Sequence, residues 1–320
     1  MASLRRLLHP GGAGPTDSQF RIAAVRVGIV DVGANTVRLL VATVDEDALI
    51  SIREDRAQVG LGEEIERTGR IGEKKLAEAA ETAKAHVRRA RKLNCSSIAV
   101  LVTSPGRQAA NGADLLARLA AATGVPTRVL TAQEEGELAW RGAVAATARL
   151  PERIAVCDVG GGSAQIAIGT GSGPSWVRSL DLGSLRLTRR AFREDPPNAE
   201  DFARAHGVVA AEFTDLTPPL PLCAIAVGGT ARALRKVVGP ELAEESLLSA
   251  SRRLAKKSSA KVAKDYGVDE ARARTMTAGA LIFLEIHRRL KVPLQVGRGG
   301  VREGAALALL ADMEAAARSA

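Results

Sequence analysis

The sequence is poor in aromatic residues, cysteine and histidine. Aromatic residues make up 2% of the 320 residues, and the chain has three cysteines and four histidines. An odd number of cysteines without a Cys-x-x-Cys pair argues against a disulfide scaffold and predicts a reduced cytoplasmic protein with buried thiols. The histidines show no His-Glu-x-x-His spacing, which argues against a histidine-built metal site. No apolar run approaches the roughly 20 residues that cross a bilayer.

The remaining composition is that of a folded protein with a basic balance. Hydrophobic residues make up 46% of the chain, and Ala, Val, Leu and Ile must therefore supply the core. The length allows two ordinary domains, and residues 1–23 are predicted to form a disordered extension. The net charge of +9 favours a polyanionic partner. The sequence argues against nucleic acid as a partner, because no basic run is interleaved with aromatic residues.

One short pattern occurs twice. Residues 27–44 read VGIVDVGANTVRLLVATV, and residues 154–171 read IAVCDVGGGSAQIAIGTG. Each copy is an apolar run, an aspartate, a turn of small residues and a second apolar run, which predicts strand, turn and strand. Asp31 and Asp158 occupy equivalent places. Two such carboxylates could hold Mg²⁺, since hard cations take oxygen ligands; for either aspartate alone, capping of the turn is an equal alternative.

The rest of the chain alternates strands with helices, so the predicted class is α/β. Amphipathic patterns predict helices over 72–93, 132–148 and 271–290 and a last helix from about Arg302. Asn111 is predicted to cap a further helix.

Two glycine-rich turns have the character of phosphate-binding loops. Gly160-Gly161-Gly162-Ser163 follows Asp158 directly, and Gly228-Gly229-Thr230 stands between a buried strand and a helix start. Glycines let backbone amides approach phosphate oxygens, and helix N-termini attract anions. An ordinary hairpin turn would explain one of the three consecutive glycines but not all of them.

Two further segments carry candidate side chains. Thr131 and Glu134 have capping-box spacing, so Glu134 is predicted to bond the backbone. Glu135 has no such role and is the better candidate for a general base that acts on water, with a solvated surface glutamate as the alternative. Arg107 is predicted to lie in a loop after a buried strand, where it could bind phosphate or simply face solvent.

Seven motifs resemble one known family in order and spacing. They are DVGANTVRLL, TSPGRQAAN, QEEGELAWRGA, DVGGGSAQ, SLDLGSLRLT, AVGGTARAL and GRGGVREG, and they span about residues 25–311. The chain resembles the exopolyphosphatase and guanosine pentaphosphate phosphohydrolase (Ppx/GppA) family, in a short form without a C-terminal helical extension. The resemblance implies two ribonuclease H-like domains of the actin, Hsp70 and sugar-kinase superfamily around a cleft. The first would hold residues 24–131 plus 303–320, and the second residues 132–302.

The resemblance also implies an activity and roles for individual residues. The family removes terminal phosphate from inorganic polyphosphate, or the 5′ γ-phosphate from pppGpp, with Mg²⁺ or Mn²⁺. Glu135 matches the glutamate that activates water, and Asp31 and Asp158 match the carboxylates around metal and phosphate, with Asp158 counted among the catalytic residues. Roles in substrate binding are implied for Asn35, Thr36, Arg107, Gly160, Gly161, Gly162, Ser163, Gly228, Gly229 and Thr230.

Two departures from the family leave alternatives open. Gln165 stands where the family usually has a glutamate that helps position metal or water, so metal affinity is expected to fall. Pro105 and Gly106 are expected to reshape the segment that carries Arg107. The alternatives are therefore a polyphosphate- or (p)ppGpp-binding protein with little catalysis and, less favoured, an ATP-dependent kinase. A homodimer is one candidate assembly.

Overall fold

The computed structural model describes residues 25–46 and 48–319, and the extension predicted for residues 1–23 lies outside the described residues. The described chain is a mixed α/β structure with one five-stranded and one six-stranded sheet. The α/β class predicted from the sequence is confirmed. Within the described ranges, no helix combines the length and the apolar character that a membrane crossing requires.

The first sheet begins with an antiparallel meander and continues with parallel strands, in the order β3-β2-β1-β4-β5. Its strands are β1 (Val27–Val32), β2 (Thr36–Asp45), β3 (Ala48–Gln58), β4 (Ser97–Val102) and β5 (Thr127–Val129). The helices of this half are α1 (Leu61–Thr68), α2 (Glu73–Lys92), α3 (Ser104–Gln108) and α4 (Gly112–Thr123). The helix predicted over 72–93 is thus confirmed as α2.

The second sheet repeats this arrangement, in the order β10-β11-β9-β6-β7-β8. Its strands are β6 (Ile154–Val159), β7 (Ala164–Thr170), β8 (Gly173–Leu180), β9 (Cys223–Val227), β10 (Glu241–Leu242) and β11 (Leu294–Val296). The remaining helices are α5 (Ala132–Ala145), α6 (Ser184–Ala191), α7 (Ala199–Glu212), α8 (Gly228–Val238), α9 (Glu244–Ala255), α10 (Ser259–Tyr266), α11 (Glu270–Leu290) and α12 (Val301–Ser319).

The two Asp-Val-Gly segments occupy the same position in the two sheets. Each lies inside its sheet, where it pairs antiparallel with the strand after the turn (β2 or β7) and parallel with its other neighbour (β4 or β9). Asp31 pairs in register with Arg38, and Asp158 pairs in register with Gln165. The predicted duplication therefore brings both aspartates to the carboxyl end of an inner strand, where open α/β sheets bind ligands.

Two helices connect the halves by crossing from one to the other. The apolar face of α5 packs on the second sheet, where Trp140 and Ala143 join a buried cluster with Ile154. In contrast, α12 packs on the first sheet, where Ala306 and Leu310 join a buried cluster with several residues of β1 and β2. The last helix therefore packs against the first half of the chain.

Asn111 stands at the N-cap position of α4, as predicted, but its side chain makes no capping hydrogen bond; it accepts from the backbone N–H of Ile71 at 2.9 Å and donates to the Ile71 carbonyl at 2.9 Å. Another local expectation was wrong. Arg107 lies in the short helix α3 rather than in a loop, because Pro105 sits in the first turn, where a missing N–H costs no helical hydrogen bond.

Candidate active site

A cleft lies between the two halves, at the turns that follow the two Asp-bearing strands. A Cβ atom built on Gly161 would lie 3.1 Å from the side-chain nitrogen of Asn35, so the two turns face each other closely. The cleft also receives the start of α8 and the start of α12. The predicted residues that line it are Asp31, Asn35, Thr36, Glu135, Asp158, Gly160, Gly161, Ser163, Gly228, Gly229 and Thr230.

Glu135 reaches this cleft because its neighbour takes the capping role. The hydroxyl of Thr131 accepts from the Glu134 N–H at 3.1 Å, and the Glu134 carboxylate accepts from the Thr131 N–H at 2.8 Å, which confirms the predicted capping box. Glu135 is only 8% exposed. Its carboxylate accepts a hydrogen bond of 2.7 Å from the Arg107 guanidinium.

Burial sets the acidity of Glu135. Desolvation of the carboxylate, with smaller contributions from the charges of Asp158 and Asp31, raises the pKa of Glu135 to about 7 against the opposing attraction of Arg107. A carboxyl group with a pKa near neutral pH is well matched to accept a proton from water.

The pKa values of Asp31 and Asp158 are also raised, so the ionised form of each carboxyl group is disfavoured. Burial raises the pKa of Asp158 to about 6 against the attraction of Arg232 and Arg38, and burial also raises the pKa of Asp31. Gly228 has φ +85°, and a Cβ atom there would clash with Oδ1 of Asp158. Only glycine therefore lets the start of α8 approach this carboxylate so closely.

The two aspartates are donors of the kind that a hard cation takes. Oδ1 of Asp31 is buried and has no hydrogen-bond partner among the described residues. No group of three or more His, Cys, Asp or Glu residues in the described ranges forms a complete metal-binding set. Mg²⁺ commonly takes one or two carboxylates and completes its shell with water and phosphate oxygens. Asp31 and Asp158 can supply ligands of that kind.

Three residues singled out from the sequence do not line the cleft. Arg107 donates to Glu135 and, at 2.7 Å, to the carbonyl of Leu130. The carbonyl of Gly162 accepts at 3.0 Å from the side-chain amide of Gln108. Gln165 is 2% exposed, and its amide donates to the hydroxyls of Ser163 and Ser179 at 3.0 and 3.1 Å.

Five charged residues of the cleft were missed. They are Arg38, Arg232, Arg272, Arg302 and Glu303. All but Arg272 lie within the seven motifs that carry the family resemblance. Their position in those motifs is the sequence signal that could have identified them as residues of the cleft. Arg272 lies in the long helix α11, outside any motif, and nothing in the local sequence distinguishes it from a surface arginine.

The arginines are crowded. Burial lowers the pKa of Arg38 to about 10, with contributions from Arg302, Arg232 and Arg56 that Asp31 partly offsets. Burial also lowers the pKa of Arg272 to about 10, again with neighbouring arginines adding to the effect. The cleft thus places partly buried cations beside carboxylates and glycine-rich turns, a combination suited to a phosphorylated anion.

Comparison with known proteins places the chain in a phosphatase family, which agrees with a cleft suited to a phosphorylated anion. The model of the Ppx/GppA phosphatase family matches residues 40–313. The chain belongs to the Ppx/GppA phosphatase family. Its fold is accordingly that of the actin, Hsp70 and sugar-kinase superfamily, with two ribonuclease H-like domains that flank the cleft.

Relatives within the Ppx/GppA family cover most of the chain. Exopolyphosphatase 1 of Mycobacterium tuberculosis is 28% identical over 309 residues, which is 91% of this chain and 90% of the relative. Exopolyphosphatase 2 of the same organism is 27% identical over 320 residues, which is 90% of this chain and 99% of the relative. The crystal structure of the Aquifex aeolicus Ppx/GppA family member is 25% identical with a TM-score of 0.76, with 90% of this chain and 98% of that chain covered. A Cytophaga hutchinsonii exopolyphosphatase shares the fold with a TM-score of 0.81 at 21% identity, with 90% and 98% covered.

Proposed function

We propose that this protein releases terminal orthophosphate from inorganic polyphosphate by attack of a water molecule that Glu135 deprotonates. The observation that carries the proposal is a buried carboxyl group with a pKa of about 7 beside two facing glycine-rich turns. Membership of a phosphatase family supports hydrolysis, and the names of the mycobacterial relatives support polyphosphate.

In the proposed reaction Glu135 accepts a proton as the water oxygen forms a bond to the terminal phosphorus. The bond between that phosphorus and the bridging oxygen breaks, and the shortened chain leaves with the electron pair. Asn35, Thr36 and Ser163 would orient the terminal phosphoryl group, and the amides of the turns at Gly160–Gly162 and Gly228–Gly229 would bind its oxygens. Arg38 and Arg272 would offset the charge that develops on the leaving oxygen.

A divalent cation is part of the proposal. We assign Asp31 and Asp158 as the residues that hold Mg²⁺ or Mn²⁺, because both line the cleft and Oδ1 of Asp31 has no hydrogen-bond partner among the described residues. An ion held by these two residues would supply positive charge that offsets part of the charge on the phosphate oxygens. Arg107 takes a different role in this account from the one that the family resemblance implied: it positions Glu135 and limits the rise of its pKa.

The domain division predicted from the sequence is also kept as a proposal. The packing of α5 on the second sheet supports a boundary near residues 131 and 132. The packing of α12 on the first sheet supports a second boundary near residues 302 and 303. A hinge motion that closes the cleft on substrate would follow from such a division. A cytoplasmic location and a homodimer stay predictions.

The experiment for the substrate measures orthophosphate release from long-chain polyphosphate and from pppGpp in parallel. Each reaction is run with Mg²⁺, with Mn²⁺ and with excess EDTA. The proposal predicts release from polyphosphate that EDTA abolishes and that added Mg²⁺ restores. Release from pppGpp alone would show that pppGpp, not polyphosphate, is the substrate. Full activity in EDTA would show that the reaction needs no divalent cation.

A binding protein with little turnover is the second candidate, and Gln165 motivates it. Its amide is bonded to Ser163 and Ser179, where a glutamate would add a negative charge beside the cleft turn. Saturable polyphosphate binding without phosphate release would favour this candidate. A gain of hydrolysis in Gln165→Glu under the same conditions would then show that the lost charge is the cause.

A further inference from the structure

The turn of residues 160–163, which we call the glycine turn, has all three of its glycine carbonyls hydrogen-bonded. The carbonyl of its first glycine accepts from the Ser184 N–H at 2.9 Å, and that of its second accepts from the N–H groups of Leu185 and Arg186, each at 3.0 Å. These donors open α6, and N–H groups in the first turn of a helix have no partner within that helix. None of the three donor residues lines the cleft, so these two carbonyls point away from it.

The third carbonyl is held by a side chain of the other half. The Gly162 carbonyl accepts at 3.0 Å from the amide nitrogen of Gln108, which is the last residue of α3. The same nitrogen donates to the Asp181 carboxylate at 2.5 Å. Both partners can only accept, so the donor end of the amide is the end that faces them.

This hydrogen bond also fixes the direction of a backbone N–H group. The peptide bond between Gly162 and Ser163 is trans, so the Gly162 carbonyl and the Ser163 N–H point in opposite directions. Gln108 lies outside the cleft, whereas Ser163 lines it and is 4% exposed. Among the described residues the Ser163 N–H has no acceptor. The N–H group that Gln108 orients is therefore free to bind an anion in the cleft.

Close packing on both sides supports the glycine turn. A Cβ atom built on Gly162 would clash with the hydroxyl oxygen of Ser104, the first residue of α3. A Cβ atom on Gly183, which precedes α6, would clash with the carbonyl of Gly161. The turn thus lies directly between α3 of the first half and the start of α6 of the second.

Two neighbouring residues of α3 contact the two parts of the proposed reaction. Arg107 donates to the carboxylate of Glu135, the proposed base, at 2.7 Å. Gln108 donates to the turn whose amides would bind the phosphoryl oxygens. One short helix therefore sets the position of the base relative to the oxygen-binding amides.

We propose, on the basis of the function proposed above, that Gln108 is a positioning residue for phosphoryl transfer, which directs the Ser163 N–H at an oxygen of the reacting phosphoryl group. Donors that are fixed before the reaction stabilise the charge of the transition state without reorganisation. Without the Gln108 donor, the flexible backbone at Gly162 lets the peptide group rotate, and the N–H loses its fixed direction. Gln108 itself contacts neither the substrate nor the attacking water in this role.

The test compares Gln108→Met, which keeps the length of the side chain but has no donor, with the unaltered protein on long-chain polyphosphate. Loss of one donor to a developing oxyanion costs about 100-fold to 1,000-fold in kcat, so a misdirected donor should cost about tenfold, with KM changed less than about twofold. Gln108→Lys introduces an ammonium group that can donate to both oxygens, and it should restore most of kcat. Gln133→Met is the matched control, because Gln133 is exposed on α5 and donates only to Glu137, at 2.8 Å. It should leave kcat unchanged.

The pH dependence separates this role from a general disturbance of α3. Arg107 holds down the pKa of Glu135, so a displaced α3 would move the midpoint of the pH–rate profile to higher pH. The proposal predicts the same midpoint in Gln108→Met as in the unaltered protein. A moved midpoint, an unchanged kcat, or an equal fall of kcat in Gln108→Lys would overturn the proposal.

An NMR measurement separates the failure of this proposal from the failure of the proposed function. The amide proton shift of Ser163 is recorded with and without saturating inorganic phosphate. A downfield shift is expected in the unaltered protein, because the N–H binds a phosphate oxygen, and a clearly smaller one in Gln108→Met. If the unaltered protein releases no orthophosphate, hydrolysis fails as a function, while this difference still supports the role of Gln108. Equal shifts in the two proteins, or no shift in the unaltered protein, would reject it.

Discussion

At the scale of single residues, Glu135 combines burial with one cationic neighbour. Burial raises the pKa of Glu135 to about 7, and Arg107, which donates to it at 2.7 Å, works against that rise. The family resemblance implied that Arg107 binds phosphate, but its guanidinium lies on Glu135 and on a backbone carbonyl. The two roles can be separated by the dependence of the reaction on pH.

The unaltered protein should show kcat/KM for polyphosphate that rises as pH passes about 7, because only ionised Glu135 accepts a proton. Arg107→Met removes the attraction that favours ionisation, so the midpoint should move to higher pH by about one unit. The measurement is a pH–rate profile of both proteins at fixed ionic strength. A raised KM with an unchanged midpoint would instead assign Arg107 to phosphate binding.

Ionisation of Glu135 should also lower the free energy of unfolding as pH rises. The native pKa of Glu135 is raised, so between about pH 4.5 and 7 the folded protein binds more protons than the unfolded chain, and stability falls as pH rises through this window. The pKa of Asp158 is raised in the same direction, to about 6. Glu135→Gln should therefore be more stable than the unaltered protein at pH 8, by roughly 1–3 kcal/mol, and nearly equal to it at pH 4.5.

Urea unfolding at both pH values, without divalent cations or phosphate, checks this sign. An equal or lower stability of the variant at pH 8 would mean that the ionised carboxylate is not strained in the folded protein. Because glutamine also gives up the ion pair with Arg107, the comparison measures the net effect of burial and pairing.

At the scale of elements, α5 and α12 meet at glycines. A Cβ atom on Gly304 would clash with the carbonyl of Leu138, and one on Gly142 would clash with the carbonyl of Gly300. The GRGGVREG motif therefore has a packing role in addition to the two charged residues, Arg302 and Glu303, that it sends into the cleft.

Gly304→Ala is expected to destabilise the protein by about 1–3 kcal/mol, because the added methyl group must push backbone atoms apart. Gly207→Ala is the matched control: Gly207 lies in α7, and a methyl group there meets no atom within 4 Å. The control should gain roughly 0.5–1 kcal/mol from helix propensity. Thermal or urea unfolding of both variants checks the contrast, and a neutral Gly304→Ala would contradict the close crossing.

The elements that were predicted are those with a strong local pattern. The Asp-Val-Gly hairpins, α2, α11 and the capping box at Thr131 follow from periodicity, a repeated phrase and capping chemistry. The position of Asn111 at the N-cap of α4 was predicted, but its hydrogen bonds were not, because its amide finds a tertiary partner in Ile71, which no local pattern reveals. The same reason applies to Arg107, whose partner depends on how α3 approaches α5.

At the scale of the whole molecule, a duplicated half explains why the site lies where it does. Each half supplies an aspartate at the end of an inner strand and a turn of small residues, and the two turns meet across the cleft. The sequence therefore predicted the carboxylates and the glycine-rich turns. It did not predict Arg272, which reaches the cleft from α11 only because that helix packs beside α8.

The central claim is that Glu135 activates the attacking water, and one measurement tests it most directly. Orthophosphate release from polyphosphate is followed with Mg²⁺ for the unaltered protein, Glu135→Gln and Glu134→Gln. The neighbouring glutamate is the control, because it serves the capping box, and glutamine can replace it there. The account predicts a loss of at least about 100-fold in folded Glu135→Gln and little change in Glu134→Gln. Substantial phosphate release by folded Glu135→Gln would contradict it.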